Sequence, residues 1–417
     1  MKHAIVGTGI AGTLAAESIR RVDPNASITL IGDEPYPPYC RPMISMLLEG
    51  SIPPERMAIR GANDFRSLNI DLLTGERVSL IHPKEKNLET AKGKIISFDR
   101  LLIATGADPV ESKADGSHLR NIFTMRNRSH VEAMLEVMPE VRSSLIIGGG
   151  LVGLKAAHAL NRRGISVTMV EKLDHPLPLV TDRKCGYAVL RSLEAMGIAL
   201  RMSVTVAAFE GNGRVSEALL YDGSRVSCDL VVLAAGSTPA VPSIKEGRIR
   251  MGRGILVDDF LETDEKGIYA AGDVAEAMEV ISGQKKVNAI WPVAAEQGVV
   301  SGMNMVGRNV PYQGAIGRNV VRIGDLDMLS GGLINPPPEG SYEILENEDL
   351  RRKTYRKLLF EEDVLKGLVM LNRIEKAGVL LSLMKRRMPI TVSKERLLDP
   401  GFDFCQLLPG MQPSATA

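Results

Sequence analysis

The stretch Gly7-Thr8-Gly9-Ile10-Ala11-Gly12 follows the apolar run 4–6 and opens a series of small and helix-forming residues that continues to Arg21. This order predicts a strand, a tight turn and a helix, which together form the phosphate-binding unit of a dinucleotide fold. The first glycine allows the turn, the second lets a pyrophosphate approach the backbone, and the third lets the helix pack against the strand. The phosphates would lie at the helix N-terminus, where N–H groups and the helix dipole favour anions.

A second copy of this pattern, Gly148-Gly149-Gly150-Leu151-Val152-Gly153, begins about 140 residues later. It follows the apolar run 144–147 and opens a predicted helix that continues to Arg163. A lone glycine-rich turn also occurs in α/β proteins that bind no nucleotide. Because strand, turn, helix and second strand recur twice in the same order, we expect two dinucleotides held face to face, the arrangement in which a flavin and a nicotinamide exchange a hydride.

Each copy also has an acidic residue after its second predicted strand. Asp33 and Glu34 follow that strand in the first copy, and Glu171 follows it in the second. A carboxylate at this place accepts hydrogen bonds from the adenosine ribose hydroxyls. At Glu171 it would repel a 2′-phosphate and so favour NAD over NADP, whereas the adjacent Lys172 works against that preference.

The composition bounds what the chain does. Its 417 residues are enough for two or three domains. A hydrophobic fraction of 44% and a charged fraction of 24% are typical of a soluble globular protein. The net charge of +1 provides no general attraction for nucleic acid or an anionic membrane, and no apolar run approaches the ~20 residues of a membrane helix. The first residues enter a predicted strand at once, which leaves no room for a signal peptide, so we expect a cytoplasmic protein.

The four cysteines, Cys40, Cys185, Cys228 and Cys405, are far apart in the sequence. Because there is no CxxC or CxxxxC motif, the sequence predicts neither a redox-active disulfide between neighbouring cysteines nor a cysteine-based metal site. The six histidines are scattered and add no ligand pattern. We therefore expect no metal, and buried or incidental thiols at the four cysteines.

Two further segments repeat within the chain. Residues 98–109 (FDRLLIATGADP) and 230–239 (LVVLAAGSTP) each predict a buried strand that ends in a glycine–proline turn. Each nucleotide unit therefore has its own closing strand. The sequence predicts an α/β fold with two Rossmann-like dinucleotide-binding domains, each of three layers. The first would be discontinuous, comprising 1–112 and 245–315, and the second would comprise 113–244.

Residues 316–417 differ in character and predict a separate C-terminal α+β domain. Residues 355–360 and 364–371 are predicted to be strands around an acidic turn. Residues 375–387 predict an amphipathic helix with a basic end. The tail 409–417 is mostly small and polar, which predicts disorder.

The order of these motifs, together with 268–273 (IYAAGD), resembles that of the flavoproteins with two dinucleotide-binding domains, the glutathione-reductase-like superfamily. Within it, the segment Tyr39-Cys40-Arg41-Pro42-Met43-Ile44-Ser45 is similar to one in rubredoxin and ferredoxin reductases, and the flavoprotein part of assimilatory nitrite reductase is also close. Residues 355–358 (YRKL) and 365–367 (LKG) resemble the C-terminal domain of NADH:rubredoxin reductases. The resemblance implies FAD in the first domain and NAD(H) in the second.

The resemblance also implies which residues hold each cofactor. The FAD set comprises Gly7, Gly9, Ala11, Gly12, Asp33, Glu34, Arg41, Val78, Thr105, Gly106, Arg126, Asp273 and Trp291. The NAD set comprises Gly148, Gly150, Val152, Gly153, Glu171 and Gly236. Asp273 would bind the ribitol or pyrophosphate end of FAD. Trp291 would precede a helix whose N-terminus faces the flavin ring, although this side chain would serve equally well as plain core packing.

Three positions depart from the family pattern. Met43 stands where the disulfide-reducing members have a cysteine, although Cys40 lies three residues before it. Met46 replaces a lysine that many ferredoxin-reductase-like members have. Lys155 replaces the glutamate that usually follows the second glycine-rich turn. Lys155 would either lie by the flavin and favour its negatively charged reduced form, or point to solvent beside the NAD phosphates. Lys155 and Arg41 are the candidate catalytic residues.

The resemblance implies an FAD-dependent NAD(P)H oxidoreductase that passes electrons, in either direction, between NADH and a small redox protein. This partner would be rubredoxin or an iron–sulfur protein or subunit. Two alternatives are an NADH oxidase that uses O₂ and a non-catalytic flavin-bound sensor or interaction protein similar to apoptosis-inducing factor. The basic run Lys385-Arg386-Arg387 would be either a docking face for an acidic partner or a solvated helix end. The resemblance is compatible with a homodimer.

Overall fold

The computed structural model describes residues 1–349 and 351–407. These residues divide into two compact units. The first unit consists of Met1–Glu111, Thr124–Glu136 and Gly236–Ala315, and the second of Ser112–Phe123, Val137–Ala235 and the chain from Ile316 onward. The three-domain division at residues 112, 245 and 316 stays a prediction. The tail 409–417, for which disorder is predicted, lies outside the described residues.

The helices and strands of the described residues are numbered in chain order. The helices are α1 (Ile10–Val22), α2 (Ile44–Glu49), α3 (Ala62–Ser67), α4 (Arg128–Val137), α5 (Leu151–Arg162), α6 (Arg183–Ala195), α7 (Trp291–Met305) and α8 (Ala377–Lys385). The strands are β1 (Lys2–Val6), β2 (Ser27–Ile31), β3 (Ile70–Leu73), β4 (Val78–His82), β5 (Asn87–Thr90), β6 (Ile95–Ser97), β7 (Arg100–Ile103), β8 (Ala107–Pro109), β9 (Ile122–Thr124), β10 (Ser143–Ile147), β11 (Ser166–Glu171), β12 (Ala199–Met202), β13 (Val206–Glu210), β14 (Glu217–Leu220), β15 (Arg225–Ser227), β16 (Leu230–Leu233), β17 (Ser237–Pro239), β18 (Ser243–Ile244), β19 (Ile255–Leu256), β20 (Ile268–Ala270), β21 (Ala275–Glu279), β22 (Gln284–Val287), β23 (Arg318–Ile323), β24 (Leu326–Gly332), β25 (Glu343–Asp349), β26 (Thr354–Glu361) and β27 (Val364–Leu371). Among these helices, none is both long enough and apolar enough to cross a membrane.

The central sheet of the first unit is parallel, with the strand order β20-β7-β1-β2-β3. Successive side chains of β1 point to opposite faces. Ile5 packs in the cluster that contains the buried side of α1, whereas Ala4 and Val6 pack with Ile81 and Leu88 of the antiparallel strands β4 and β5. The unit therefore has helices, parallel sheet and antiparallel strands as three layers.

Small residues let α7 approach α1 closely. A Cβ atom placed on Gly298 would overlap the carbonyl oxygen of Ala11, and one placed on Gly302 would lie 2.5 Å from that of Ala15. Residues four apart share one face of a helix, so these two glycines form the contact surface of α7. The backbone of α1, which begins in the first glycine-rich turn, is thereby fixed against a second helix.

The second unit repeats this architecture. Its main sheet has the order β12-β11-β10-β16-β9, and the neighbours from β12 to β16 are parallel. Leu145 and Ile147 of β10 pack with Phe209 of the antiparallel strands β13–β15. Ile146 lies on the opposite face, where its Cγ2 is 3.3 Å from a Cβ placed on Gly153 of α5. Apolar side chains thus fill both faces of the parallel sheet, as expected for a doubly wound fold.

The two repeated closing segments contain shorter strands than predicted. Segment 98–109 is divided into β7 and β8, and segment 230–239 into β16 and β17. Gly106, with φ of +77°, and Gly236, with φ of +108°, break the strands because they adopt a left-handed backbone conformation. Strands β8 and β17 then pair with each other in antiparallel fashion, a contact between distant parts of the chain.

The C-terminal region forms an antiparallel sheet in the order β23-β24-β27-β26-β25. The two strands predicted at 355–360 and 364–371 are present as β26 and β27. Helix α8 is shorter than the predicted 375–387 at both ends: Lys376 before it has φ of +63° and Arg387 after it has φ of +51°, and neither value continues a right-handed helix. The predicted α/β fold with two parallel-sheet modules and a C-terminal α+β region is confirmed.

Candidate cofactor sites

In the first glycine-rich turn, Gly7 and Gly12 are required by the packing of the protein itself. Gly7 has φ of +116°, and a Cβ placed there would overlap the carbonyl oxygen of Ala104. A Cβ placed on Gly12 would overlap the carbonyl oxygen of Gly7. A side chain at Gly7 would push the turn away from the end of β7, and one at Gly12 would push helix α1 away from the turn. These two glycines therefore serve the turn and the packing of α1.

Gly9 differs from both of these glycines. Its φ of −64° is open to any residue, and a Cβ placed there would meet no protein atom within 4 Å. Gly9 is the N-cap of α1 and has no side chain to cap the helix, so the N–H groups of the first turn are available to a ligand. Nothing in the protein requires a glycine here, and the open space lies at a helix N-terminus suited to an anion.

The two acidic residues after β2 have different surroundings. Glu34 is buried, and its carboxylate accepts hydrogen bonds from the Tyr39 hydroxyl (2.7 Å) and from Arg41 Nη2 (2.6 Å). Arg41 also donates to Asn127. Asp33 is exposed at the carboxyl end of β2. Arg41, predicted to lie beside the flavin pyrophosphate, is thus held in place by Glu34. Glu34 directly follows Asp33, the predicted ribose acceptor.

The segment 124–136 brings two predicted FAD residues together. Arg126 Nη2 donates to Asp273 Oδ2 over 2.7 Å, and the same nitrogen lies 3.4 Å from a Cβ placed on Gly106. The backbone N–H of Arg126 donates to His130 Nδ1 (3.3 Å). Burial lowers the pKa of His130, so its ring is neutral and can accept this bond. The segment therefore places the Arg126 guanidinium beside Asp273, the predicted FAD aspartate.

Sequence reasoning missed Gln297, which binds the backbone of Gly272, the residue before this aspartate. The backbone N–H of Gly272 donates to Gln297 Oε1 over 2.7 Å, and Gly272 has φ of +80°. Gln297 is 3% exposed and lies on α7. A buried amide among alanines and glycines is the signal that could have revealed it, because a buried polar group needs a backbone partner.

The remaining predicted FAD residues lie in the same unit. Thr105 Oγ1 donates to the carbonyl oxygen of Ala240 over 2.6 Å. Val78 is buried at the start of β4, and Trp291 is the half-buried first residue of α7. Trp291 thus stands at a helix N-terminus, where N–H groups lack helical partners.

The second glycine-rich turn repeats the geometry of the first. Gly148 has φ of +102°, and a Cβ placed on it would lie 2.5 Å from the carbonyl oxygen of Ala234. A Cβ placed on Gly153 would overlap the carbonyl oxygen of Gly148. Gly150, the N-cap of α5, has φ of −74° and open space within 4 Å of a Cβ. As at Gly9, the protein itself does not require this glycine.

Glu171 is bound to the turn that it was predicted to accompany. Its Oε2 accepts from the N–H of Gly149 (2.6 Å) and its Oε1 from the N–H of Leu173 (2.9 Å). Both oxygens are therefore held by backbone groups, which keeps the carboxylate at the carboxyl end of β11. Val152, on the first turn of α5, is 45% exposed. Gly236 belongs to the first unit, where its carbonyl oxygen accepts from the N–H of Val110 (3.0 Å).

Lys155, one of the two candidate catalytic residues, lies half-buried on the second turn of α5. It shares a helix face with Val152, three residues earlier. Arg41, the other candidate, is ion-paired with Glu34 in the first unit. The two candidates thus belong to different compact units, Arg41 to the first and Lys155 to the second.

All four cysteines lie in the described part of the chain, and each is a free thiol. Burial raises the pKa of Cys228 to about 12 and also raises that of Cys40, so neither forms a thiolate readily. Within residues 1–349 and 351–407, no three His, Cys, Asp or Glu side chains come together as a metal site requires.

The chain is similar to known flavoprotein reductases. The sequence model of the pyridine nucleotide-disulphide oxidoreductase family matches residues 1–298. The assimilatory nitrate reductase electron transfer subunit of Bacillus subtilis is 27% identical over 401 residues, which are 95% of this chain and 51% of that protein. The biphenyl dioxygenase system ferredoxin–NAD(+) reductase component of Paraburkholderia xenovorans is 33% identical over 272 residues, 65% of this chain and 67% of that protein.

Among solved structures, the ferredoxin reductase for the CYP199A2 system from Rhodopseudomonas palustris superposes with a TM-score of 0.86 at 25% identity, covering 96% of this chain and 98% of that one. The chain spans about half the length of the Bacillus subtilis relatives it matches. These matches confirm the family resemblance that was predicted from the sequence. They also confirm the predicted class, flavin-dependent NAD(P)H oxidoreductases with FAD and NAD(P)H as cofactors.

Proposed function

Because this chain belongs to the pyridine nucleotide-disulphide oxidoreductase family, we propose that it passes electrons between NADH and a small iron protein through FAD. The observation that carries this proposal is the open space at Gly9 and at Gly150, where the protein has no need of a glycine. Each space lies at the N-terminus of a helix that follows a parallel strand, where a pyrophosphate is bound in dinucleotide folds. When bound, the flavin accepts a hydride from NADH and passes electrons on singly.

In the proposed FAD site, comprising 1–112 and 245–315, the two acids after β2 have separate roles. Asp33 is exposed and would accept the ribose hydroxyls of the adenosine. Glu34 is buried and holds Arg41 with a 2.6 Å ion pair, so that the guanidinium is presented to the pyrophosphate. Arg126 lies outside these two ranges but in the same compact unit, where it pairs with Asp273 over 2.7 Å, and the two would bind the ribitol–pyrophosphate end.

In the proposed NAD site, within 113–244, Glu171 favours NADH over NADPH. Its carboxylate is held by the N–H groups of Gly149 and Leu173, so it cannot turn away from the ribose without losing both bonds. A 2′-phosphate there would meet this negative charge at short range. Lys155 shares a face of α5 with the exposed Val152, which supports its action on the bound nucleotide.

The outward electrons would go to a protein that accepts them one at a time. The four cysteines are free thiols and lie far apart in the sequence, without the CxxC or CxxxxC spacing of a redox-active dithiol. The Paraburkholderia relative is the reductase of a ferredoxin, which supports an iron–sulfur partner for this chain. Rubredoxin is the second candidate, and the C-terminal region 316–417 is the proposed place of docking.

Anaerobic titration of the FAD-loaded protein with NADH tests this proposal. We expect the yellow colour to bleach with about one equivalent of NADH, because FAD takes up one hydride. Ferredoxin, rubredoxin or air is then added separately. Rapid return of the colour with ferredoxin supports the proposed acceptor, and rapid return only with air would indicate an oxidase. A flavin that stays oxidised with excess NADH would refute the proposal.

Exchange of Lys155 for glutamate tests the role of that residue. If Lys155 acts on the bound nucleotide or on the flavin charge, the variant should change the rate of flavin reduction by NADH or the flavin midpoint potential. The control is Arg191→Glu, which makes the same charge reversal at an exposed position of α6 that has no predicted cofactor role. A Lys155→Glu variant with wild-type rate and potential would show that Lys155 has no part in the reaction.

A further inference from the structure

Residues 172–182 join β11 to α6 and are hydrogen-bonded to the second glycine-rich turn. We call this segment the strap. The peptide groups of Gly149 are bound on both sides. Its N–H donates to Glu171, the last residue before the strap (2.6 Å), and its carbonyl oxygen accepts from the N–H of Leu177 in the middle of the strap (2.8 Å). The position of this turn therefore depends on the conformation of the strap.

Leu177 adopts a conformation that its surroundings must impose. Its φ of +59° lies in the left-handed region, which is unfavourable for a branched side chain. The side chain is buried, and its carbonyl oxygen accepts bonds from the N–H groups of Val180 and Thr181 (2.9 Å each) and from the Thr181 hydroxyl (2.9 Å). Such a conformation persists only when the surrounding contacts impose it.

The far end of the strap is held by the C-terminal sheet. Asp182 Oδ2 accepts from the Tyr355 hydroxyl (2.6 Å) and lies 3.2 Å from Lys357 Nζ. Tyr355 and Lys357 belong to β26, and all three side chains are more than nine-tenths buried. Asn335 Nδ2 adds a bond to the carbonyl oxygen of Thr181 (3.1 Å). Buried charge-assisted bonds of this kind are strong and fix geometry.

We propose that Tyr355 and Lys357 are positioning residues for nucleotide binding. Through Asp182 and the strap they fix the peptide groups of Gly149 and the Glu171 carboxylate, although they belong to a sheet outside the nucleotide module. The inference rests on the proposed NADH site. It gives the C-terminal region a part in binding NADH, in addition to any contact with a redox partner.

Tyr355→Phe is the variant that tests this proposal. It removes one hydroxyl, keeps the ring, and leaves the charges of Asp182 and Lys357 paired. Lys357→Met is less suitable, because it would leave the buried Asp182 carboxylate without its ion-pair partner. We expect the KM for NADH to rise about threefold to tenfold with kcat unchanged, measured on the FAD-loaded chain with ferricyanide as acceptor. Amide hydrogen exchange at Gly149 and Leu177 should become faster in the same variant.

Ser192→Ala is the matched control. Ser192 Oγ, on α6, donates to the carbonyl oxygen of Ile323 on β23 (3.3 Å), so this variant weakens another contact with the C-terminal sheet without touching the strap. Its KM and its exchange at Gly149 should match those of the wild type. Asn335→Ala, at an exposed position, should change both quantities in the same direction as Tyr355→Phe.

Wild-type KM and exchange rates in both Tyr355→Phe and Asn335→Ala would overturn the proposal. Equal changes in Ser192→Ala would also overturn it, since the changes in KM and exchange would then come from a general loosening of the contacts with the C-terminal sheet. If the wild-type chain fails to oxidise NADH, the proposed function is wrong. The exchange comparison needs no nucleotide and would still decide whether β26 holds the glycine-rich turn.

Discussion

Replacing Gly9 by alanine tests the proposed FAD site without disturbing the fold. The backbone at Gly9 has φ of −64°, an ordinary value for alanine, and the added methyl group would meet no protein atom within 4 Å. Alanine stiffens the unfolded chain but is a poorer N-cap than glycine, and these effects oppose each other. The free energy of unfolding of the FAD-free protein should therefore change by less than about 1 kcal/mol.

FAD binding should respond much more strongly to this methyl group. Phosphate oxygens that accept bonds from helix N–H groups approach the nitrogen atoms to about 3 Å, so the methyl group would displace them. Losing one or two such bonds to a charged group weakens binding by about 2–4 kcal/mol. The Kd for FAD should rise from about 30-fold to several hundred-fold.

Gly12→Ala is the matched control, because its methyl group would overlap the carbonyl oxygen of Gly7. This variant should lose about 2 kcal/mol or more of stability in the absence of FAD. Urea unfolding of the FAD-free proteins measures stability, and fluorescence titration measures the Kd for FAD. Wild-type FAD affinity in Gly9→Ala, or a loss of stability equal to that of Gly12→Ala, would refute the assignment of the open space to a phosphate.

Three further predictions concern specificity, pH and packing. Glu171→Gln should lower the preference for NADH over NADPH in kcat/KM about tenfold, because the repelling charge is removed, and an unchanged ratio would contradict the role of Glu171. Burial lowers the pKa of His3 from 6.5 to about 4, so the unfolded chain takes up the proton first, and the free energy of unfolding falls by about 3 kcal/mol as the pH falls from 6.5 to 4. Urea unfolding of His3→Leu should lack this part of the pH dependence. The same pH dependence in the variant would exclude His3 as its source. Gly298→Val should lower the Tm by about 4 °C or more, because the side chain would collide with Ala11; an unchanged Tm would mean that α1 and α7 can separate freely.

Much of the fold could be predicted from the sequence because its signals are local. A glycine-rich turn between a strand and a helix depends on a few adjacent residues, and both copies have the predicted order of elements. The roles of the three glycines in each turn, however, differ only in space. The sequence pattern does not show that Gly9 is surrounded by open space while Gly12 lies against the Gly7 carbonyl oxygen.

The rest of the site depends on contacts between distant parts of the chain. Asp33 and Glu34 are adjacent and chemically alike, and only the Tyr39 and Arg41 side chains distinguish the buried acid from the exposed one. Gln297 supports Gly272 from a helix 25 residues away in sequence. No local pattern predicts these pairs, because each is formed by the packing of separate elements.

The central claim is that the chain has two dinucleotide sites with different cofactors. The most direct measurement is the rate at which NADH bleaches the flavin under anaerobic conditions in the wild type and in Gly150→Ala, both loaded with FAD. We predict full FAD content in both proteins, rapid bleaching in the wild type, and bleaching at least about tenfold slower in the variant at low NADH, because the methyl group at Gly150 would occupy the space proposed for the NADH phosphates. Equal rates in the two proteins would contradict the claim.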